Sequence, residues 1–470
     1  MPPPLPNYTP YKNLPPLAGL CSFEEAMKPG LSIEECTTRL KRIHYAFKRL
    51  HEILTCRITS EPIYELKTAF AHHAYLCAEH ATAIRQRVSE MREPPLGLDE
   101  VPHPALEVFF DEIRAAPPES MLYGVYSQAI PVLHIALQAY LADTHPLTDA
   151  PSVRLMRFAK LEVKDMKDFG SVVAERLGAK PDPDWYLILC ALLQNARGID
   201  GCGVEIESSG RLPRGYSHRP YKYDPVPQRD ERFADLWNQG VNAEAFLYSP
   251  EFTAHDKVLM MLYKRLREID VPEMMASILA ETPGKPWGYY RDMSRQIWDE
   301  ARHSMMGEVG FVALGVDWTQ ARITWNWSHR LNSECTPLER HGVLFFIEQG
   351  LMPKTGKRYE YEVATDSGLP LAKTIQDFDW ADEVLHAQIG REWYVKQFGS
   401  LQEALDFGDK AWSKITSNWA SVKEQGLTQH ENWWPTLYKQ ACVAADVEPD
   451  AKVLEYSTTY EGRRADRKSN

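Results

Sequence analysis

The chain of 470 residues is longer than a single compact core usually supports, so its length predicts two domains with connecting segments. Hydrophobic residues make up 44% and charged residues 25%, which is typical of a soluble globular protein. The net charge of −12 disfavours nucleic-acid binding, and no apolar run approaches the ~20 residues that span a bilayer.

The eight cysteines are scattered along the chain without CxxC pairs. This pattern argues against a zinc ribbon, an iron–sulfur cluster or a disulfide framework, and it favours a reducing compartment. The first residues, MPPPLPNYTPYKNLPP, lack the basic start and the apolar stretch of a signal peptide. We therefore expect a cytoplasmic protein without a membrane segment.

The first part of the chain is predicted to be helical, because its apolar residues recur at three- and four-residue spacing. The predicted helices cover residues 31–54, 63–91, 121–142 and 151–177. Residues 1–177 are therefore assigned to a helical N-terminal domain, and its pattern also fits a degenerate helix bundle. The following segment, residues 178–240, is rich in proline and tyrosine. It is predicted to be an irregular connection with little periodic structure.

Four longer helices are predicted in the second part of the chain. The first follows Ser249, a candidate N-cap residue before Pro250, and the third follows a capping box that begins at Thr336. The predicted helices cover residues 250–281, 287–314, 337–352 and a run from about 370 to beyond 390. Strand signals are few, so the predicted class is mainly α. Residues 426–470 are left as a C-terminal extension.

Two of these helices carry the same motif, DExxHxxxG. It occurs as Asp299-Glu300-Ala301-Arg302-His303 and as Asp382-Glu383-Val384-Leu385-His386, each followed four residues later by glycine. Residues three apart share one face of a helix, so each motif presents a carboxylate and an imidazole together. Two such helices, with one glutamate from each of two others, would supply the ligands of a site for two metal ions. We expect the glycines, Gly307 and Gly390, to leave open space one turn from a metal.

The remaining ligands are sought on the other two helices. A turn near Gly284 makes the first two helices antiparallel, and Glu268 precedes it by as many residues as Glu300 follows it, 16 in each case. Glu268 is therefore the first-helix candidate, with Glu273 as its competitor. Pro272 is expected to kink this helix and to free the carbonyl group of Glu268.

On the third helix, Glu348 stands within the apolar run VLFFIEQGLM. A carboxylate in such surroundings needs a partner or a metal ion, so Glu348 is the candidate ligand from this helix. Glu339, at the start of the helix, and Glu360, beyond its end, are weaker candidates.

With these residues, the segment 250–395 resembles the ferritin-like superfamily of di-iron carboxylate proteins, and its DEARH string resembles bacterial multicomponent and tRNA hydroxylases. The resemblance implies a four-helix bundle within residues 241–425. Its implied metal ligands are Glu268, Glu300, His303, Glu348, Glu383 and His386. It also implies that Asp299 and Asp382 accept hydrogen bonds from the ligand imidazoles of the opposite helices, and that Arg302 pairs with one of these aspartates.

The resemblance implies a non-heme di-iron oxygenase or oxidase in which two Fe ions activate O2 for attack on a small organic substrate. Hydroxylation, N-oxygenation, desaturation and C–C cleavage all stay open. A ferroxidase or iron-handling protein, a non-catalytic scaffold that keeps its metal, and a manganese or mixed Fe/Mn oxidase are the alternatives. The large additional domain favours a substrate pocket. An external electron donor or reductase and a homodimer are further expectations.

Overall fold

The computed structural model describes residues 8–92, 97–178, 182–204, 210–416 and 419–460. All regular structure within these ranges is helical, which confirms the prediction of a mainly α protein. The chain forms two compact units. Unit 1 contains Met1–Ile53 and Leu76–Lys222, and unit 2 contains Leu54–Tyr75 and Tyr223–Asn470. None of the helices in the described ranges combines the length and the apolar character that crossing a membrane requires.

The helices predicted for residues 31–177 are present, although the third is divided by a π-helical turn at Gly124–Ala129. Three further helices, at Phe23–Ala26, Pro104–Ala115 and Pro183–Asn195, were not expected. The helices up to residue 222 are α1 (Phe23–Ala26), α2 (Ile33–Ile58), α3 (Tyr64–Glu90), α4 (Pro104–Ala115), α5 (Pro118–Tyr123), α6 (Ile130–Asp143), α7 (Ala150–Leu177) and α8 (Pro183–Asn195).

Helix α8 corrects the prediction that residues 178–240 hold little regular structure. Its N-cap, Asp182, accepts hydrogen bonds from the N–H groups of Asp184 and Trp185 and so satisfies the free end of the helix. The indole of Trp185 donates to the buried carboxylate of Glu112, 3.0 Å away. Glu112 also accepts from three successive N–H groups of the loop that begins at Gly215. A buried carboxylate therefore anchors this loop within unit 1.

The remaining helices lie in unit 2. They are α9 (Ala243–Tyr248), α10 (Ala254–Arg267), α11 (Asp270–Ala280), α12 (Trp287–Ala313), α13 (Asn326–Glu334), α14 (Pro337–Gly350), α15 (Lys357–Asp366), α16 (Pro370–Trp393), α17 (Leu401–Thr416), α18 (Trp419–Glu424), α19 (Trp434–Ala445) and α20 (Ala451–Leu454). Short 3-10 turns occur at Tyr11–Asn13, Leu17–Gly19, Tyr216–His218, Trp318–Gln320 and Val395–Gln397. Helices α12, α14 and α16 confirm the sequence prediction closely, and the capping box of Thr336 and Glu339 is formed.

The predicted start of the first long helix is wrong. The N-cap is Thr253, whose hydroxyl accepts the N–H of Asp256, and α10 begins at the next residue. Ser249 instead accepts the N–H of Glu251 at 3.3 Å, a local turn that competes with helix initiation. Every residue of α10 from Asp256 to Arg267 is buried, so this helix is surrounded by other parts of unit 2.

A break at Glu268 and Ile269 divides the predicted first helix into α10 and α11. Pro272 has no N–H that could bond the carbonyl group of Glu268. We therefore expected this carbonyl group to make no hydrogen bond. That carbonyl instead accepts the N–H of Val271 at 3.0 Å, so this part of the expectation is wrong. The tighter turn leaves Glu268 as the C-cap of α10.

Helices α10, α11, α12, α14 and α16 are called the central helices below. Helix α12 packs against α10, α11 and α16, and α14 packs against α11 and α16. The expectation of open space at the motif glycines is wrong. A Cβ atom at Gly307 would lie 2.7 Å from the carbonyl oxygen of Leu262, and one at Gly390 would enter the ring of Phe345. The glycines permit close approach between helices.

Candidate metal centre

The central helices bring two groups of acidic and histidine side chains together. The His303 group consists of Glu268, His303, Asp379 and Glu383, and the His386 group consists of Glu300, Glu348, Glu383 and His386. Within each group, one ligand atom from each member lies within 4.8 Å of the others. All members are buried except Glu268, whose side chain is 18% exposed.

All six predicted ligands lie in these two groups, and the other acidic candidates do not. The carboxylate of Glu273 points to Arg229 and Lys67 instead. Glu339 serves the capping box of α14. Glu360 is buried and pairs with Lys264, next to the His303 group.

The two histidines are held from opposite helices. His303 donates its Nε2–H to Asp382, 3.1 Å away, and His386 donates its Nε2–H to Asp299, 3.3 Å away. Each aspartate therefore contacts the histidine of the other motif. In each ring, Nε2 is hydrogen-bonded to an aspartate, so Nδ1 is the nitrogen that remains to bind a metal ion. This Nδ1 atom faces the carboxylates of the glutamates.

The atoms that face the centre lack hydrogen-bond partners. His303 Nδ1 lies 3.3 Å from Glu268 Oε2, and His386 Nδ1 lies 3.2 Å from Glu300 Oε1, but neither nitrogen makes a hydrogen bond. Among the described residues, buried carboxylate oxygens without a hydrogen bond include Glu268 Oε2, Glu300 Oε1, Glu348 Oε2 and Glu383 Oε2. Unpaired buried polar atoms are costly, and this set of carboxylate oxygens and imidazole nitrogens fits two divalent iron or manganese ions.

Two arginines hold the aspartates that orient the imidazoles. Arg302 contacts Asp299 and lies 2.8 Å from Asp382, so it bridges both motifs, and Arg295 lies 2.8 Å from Asp299. Burial opposes ionisation of Asp299, but His386 and the two arginines outweigh it and lower the pKa of its carboxyl to about 2. Asp299 is therefore a charged acceptor for the imidazole proton.

The ligand side chains compete for protons. Burial raises the pKa of Glu348 well above its usual range, and the nearby Glu383 and Glu300 carboxylates raise it further. Burial also opposes ionisation of Glu383, but Lys357 lowers the pKa of this carboxyl well below its usual range. Burial lowers the pKa of His303, yet its carboxylate partners raise it to about 10. Protons on Glu348 and His303 thus supply part of the positive charge that balances the buried carboxylates.

Buried cations supply more of this charge on one side of the centre. Lys357 Nζ lies 2.9 Å from Glu383 and 2.9 Å from Asp379, and 3.7 Å from Glu268. Arg265 lies 2.8 Å from Glu268 and also contacts Asp379. These cations come from α10 and from α15, a helix that sequence reasoning did not predict.

Asp379 was missed as a member of the site, although the sequence contained a signal. It stands four residues before Glu383 and seven before His386, and these spacings place all three on one helix face. Gln296 has the same relation to Glu300 and His303. Its side-chain amide donates to Glu348 at 3.1 Å.

A cavity of about 100 Å³ adjoins the centre. Four ligand carboxylates, those of Glu268, Glu300, Glu348 and Glu383, line one part of it. The apolar wall is made by Val271, Met274, Leu331, Val343, Leu344, Ile347 and Leu351. Charged side chains outside the ligand set, such as Lys264, Arg267 and Asp270, also line the cavity, so a small molecule there would contact both hydrocarbon and charged groups.

Comparisons of the chain with protein families, with curated proteins and with solved structures gave no match. The candidate metal centre therefore rests on the residues and their geometry.

Proposed function

We propose that α10–α11, α12, α14 and α16 form a ferritin-like four-helix bundle that holds two iron ions, and that the protein is an O2-activating oxygenase or oxidase. The observation that carries the proposal is the convergence of two buried imidazole Nδ1 atoms and several carboxylate oxygens that make no hydrogen bond. Two helices with the same ExxH spacing supply the core of this ligand set.

The geometry suggests a role for each ligand. Glu268 with His303, and Glu348 with His386, would each hold one ion terminally. Glu300 is suited to bridging, because its Oε1 lies 3.2 Å from His386 Nδ1 and its Oε2 lies 3.7 Å from His303 Nδ1. Glu383 belongs to both groups and is the second bridging candidate.

Iron bound in this way supplies the activation of O2 that lets an organic substrate be oxidised. The chain contributes the position and the surroundings of that substrate. The apolar side chains of the cavity favour a small molecule with apolar surface, whose reacting group would face Glu300, Glu348 and Glu383. The candidate reactions are hydroxylation, N-oxygenation, desaturation and C–C cleavage.

The cavity also favours an oxygenase over an iron-handling protein. Charged residues line the cavity as well, but its apolar side chains, such as Val271, Leu344 and Ile347, are not needed to pass hydrated iron. A small organic substrate matches such walls, because aliphatic side chains gain from covering apolar surface.

The test begins with metal analysis of the protein purified without a chelator. We expect about two iron ions per chain. Replacement of both His303 and His386 with Ala should remove them, whereas replacement of the exposed His255 should not. Two manganese ions, or one of each metal, would favour the Fe/Mn oxidase.

The activity is then tested with the anaerobic Fe(II) protein exposed to O2. We expect each metal centre to be oxidised once. The visible absorption that appears on oxidation should decay faster when a small apolar substrate is present. Continued oxidation of many Fe(II) ions per chain with mineral build-up would contradict the oxygenase and favour iron handling.

A further inference from the structure

The two motif-bearing helices differ at one pair of equivalent positions. Gln296 on α12 and Asp379 on α16 each stand four residues before the motif glutamate and seven before the motif histidine. Both side chains are buried. One half of the metal centre therefore has a neutral amide where the other half has a carboxylate.

Asp379 faces the position of the ion that His303 would bind. Its Oδ1 atom lies 3.6 Å from His303 Nδ1, and it belongs to the same group of converging ligand atoms as Glu268 and Glu383. Gln296 donates a hydrogen bond to Glu348 in the other half. The amide thus stabilises one oxygen of a ligand, whereas the carboxylate is available as a ligand itself.

Buried cations keep Asp379 ionised. Lys357 Nζ lies 2.9 Å from its Oδ1 and 3.0 Å from its Oδ2, and Arg265 contacts Oδ1. A fully buried carboxylate without such partners would take up a proton and lose its value as a ligand. Within the described residues, Glu348 forms no ion pair with a lysine or arginine, so this support exists on one side of the centre only.

We propose that the two metal positions are unequal, because Asp379 is an additional ligand of the ion held by His303. This inference rests on the proposed metal centre. The ion near His303 would then have one protein ligand, Asp379, that the ion near His386 lacks.

The experiment is a titration of the metal-free full-length protein with Co(II) alone. The visible bands of Co(II) weaken as its coordination number rises, so they report the number of ligands as well as the affinity. We expect two binding steps in the unaltered protein. The ion near His303 should bind in the first step and give weaker bands than the ion near His386, which binds in the second.

Asp379→Asn should lower the affinity of the first step by about tenfold or more and strengthen its bands, with the second step unchanged. Gln296→Glu is the matched variant, since it adds a carboxylate in the other half. It should alter the second step and leave the first as it is. Asp379→Glu keeps the charge that balances Lys357 and Arg265, so it tests the same ligand if the asparagine variant fails to fold.

Two results would overturn the inference. One is an unchanged first step in the Asp379 variants that fold, and the other is an equal change in both steps. If the unaltered protein binds no Co(II), the proposed metal centre itself is wrong. Two equal binding steps would contradict only the inequality.

Discussion

Asp299 and Glu300 are neighbours in the chain, but their carboxylates have different partners. Glu300 faces both imidazole Nδ1 atoms, whereas Asp299 receives the Nε2–H of His386 and the contacts of Arg295 and Arg302. Adjacent helix positions differ by about 100° around the axis, and this rotation separates the residue that meets the metal from the residue that orients a ligand.

Replacing these two residues should separate their roles. Asp299→Asn keeps the shape of the side chain but removes the charge that polarises His386, so we expect metal affinity to fall about 10–100-fold with the fold intact. Glu300→Gln should lose most of the metal, because a neutral amide is a poor bridging ligand. Metal occupancy at limiting Fe(II) measures the difference. If Asp299→Asn loses metal as completely as Glu300→Gln, then Asp299 is itself a ligand.

Metal uptake should release protons, because raised pKa values favour the protonated forms of three ligands in the metal-free protein. The pKa of His303 is raised to about 10, and the pKa values of His386 and Glu348 are raised well above their usual ranges. Each group must lose its proton to bind an ion, so metal affinity should rise as the pH rises from neutral towards 10.

Titration calorimetry in buffers of different ionisation enthalpy measures this release. We expect about three protons per pair of ions at neutral pH, and Glu348→Gln should remove about one of them. An observed binding enthalpy that is the same in all buffers would contradict the prediction.

At the scale of helices, the approach of α10 to α12 depends on Gly307. A Cβ atom there would collide with backbone atoms of α10, which cannot yield as the end of a flexible side chain can. Gly307→Ala should therefore destabilise the protein by about 1–3 kcal/mol, despite the gain of up to about 1 kcal/mol in helix propensity. It should also lower metal affinity, because Glu268 and Glu300 are moved apart.

The matched control is Gly350→Ala, at the exposed end of α14, where no atom lies within 4 Å of the new Cβ. We expect no loss of stability there. Thermal and denaturant unfolding of both variants provide the measurement. Equal stability of the Gly307 variant and the unaltered protein would show that the helices can separate without cost.

Local signals made α12, α14 and α16 predictable from sequence. Proline at the first turn, a complete capping box and regular apolar spacing all act within a few residues of the helix itself. Helix α15 has few such signals. Its Lys357 and Glu360 are buried through ion pairs with Asp379 and Lys264, and only the folded chain brings these partners together.

The candidate metal centre likewise contains residues that local sequence patterns predict and residues that only the folded chain brings together. Glu300, His303, Glu383 and His386 are defined by spacing within single helices, and Glu268 by symmetry about one turn. The cations beside Asp379 and the cavity wall combine residues from several helices, so no local pattern predicts them. The prediction of open space at Gly307 and Gly390 was wrong, because the absence of a side chain permits either an open space or a close contact between helices.

At the scale of the whole molecule, unit 2 includes a segment that is distant in the chain. Leu54–Tyr75 belongs to it, and Lys67 from this segment pairs with the buried Glu273. Burial opposes ionisation of Glu273, but Arg229 and Lys67 lower the pKa of its carboxyl to about 2. A charge of this kind requires its partners, because an unpaired buried carboxylate is strongly destabilising.

A shortened chain that begins at Asp230 lacks both cations and should not form a stable unit 2. Loss of such buried partners costs about 3–5 kcal/mol. We expect aggregation, measured by size-exclusion chromatography and circular dichroism. Full-length Lys67→Met is the milder control, because Arg229 stays 2.9 Å from Glu273. A monomeric shortened chain with an unchanged melting temperature would contradict the prediction.

The crosswise hydrogen bonds of the two histidines also have a consequence for how such a site can change over evolutionary time. His303 depends on Asp382, and His386 depends on Asp299, so each motif carries the support of the other motif's ligand. Loss of either motif would remove the aspartate that orients the other motif's histidine, which leaves little selective value in keeping half of the arrangement. Descendants of this chain should retain both motifs or lose both, and divergence between the halves should accumulate at positions outside the crosswise bonds, such as Gln296 and Asp379.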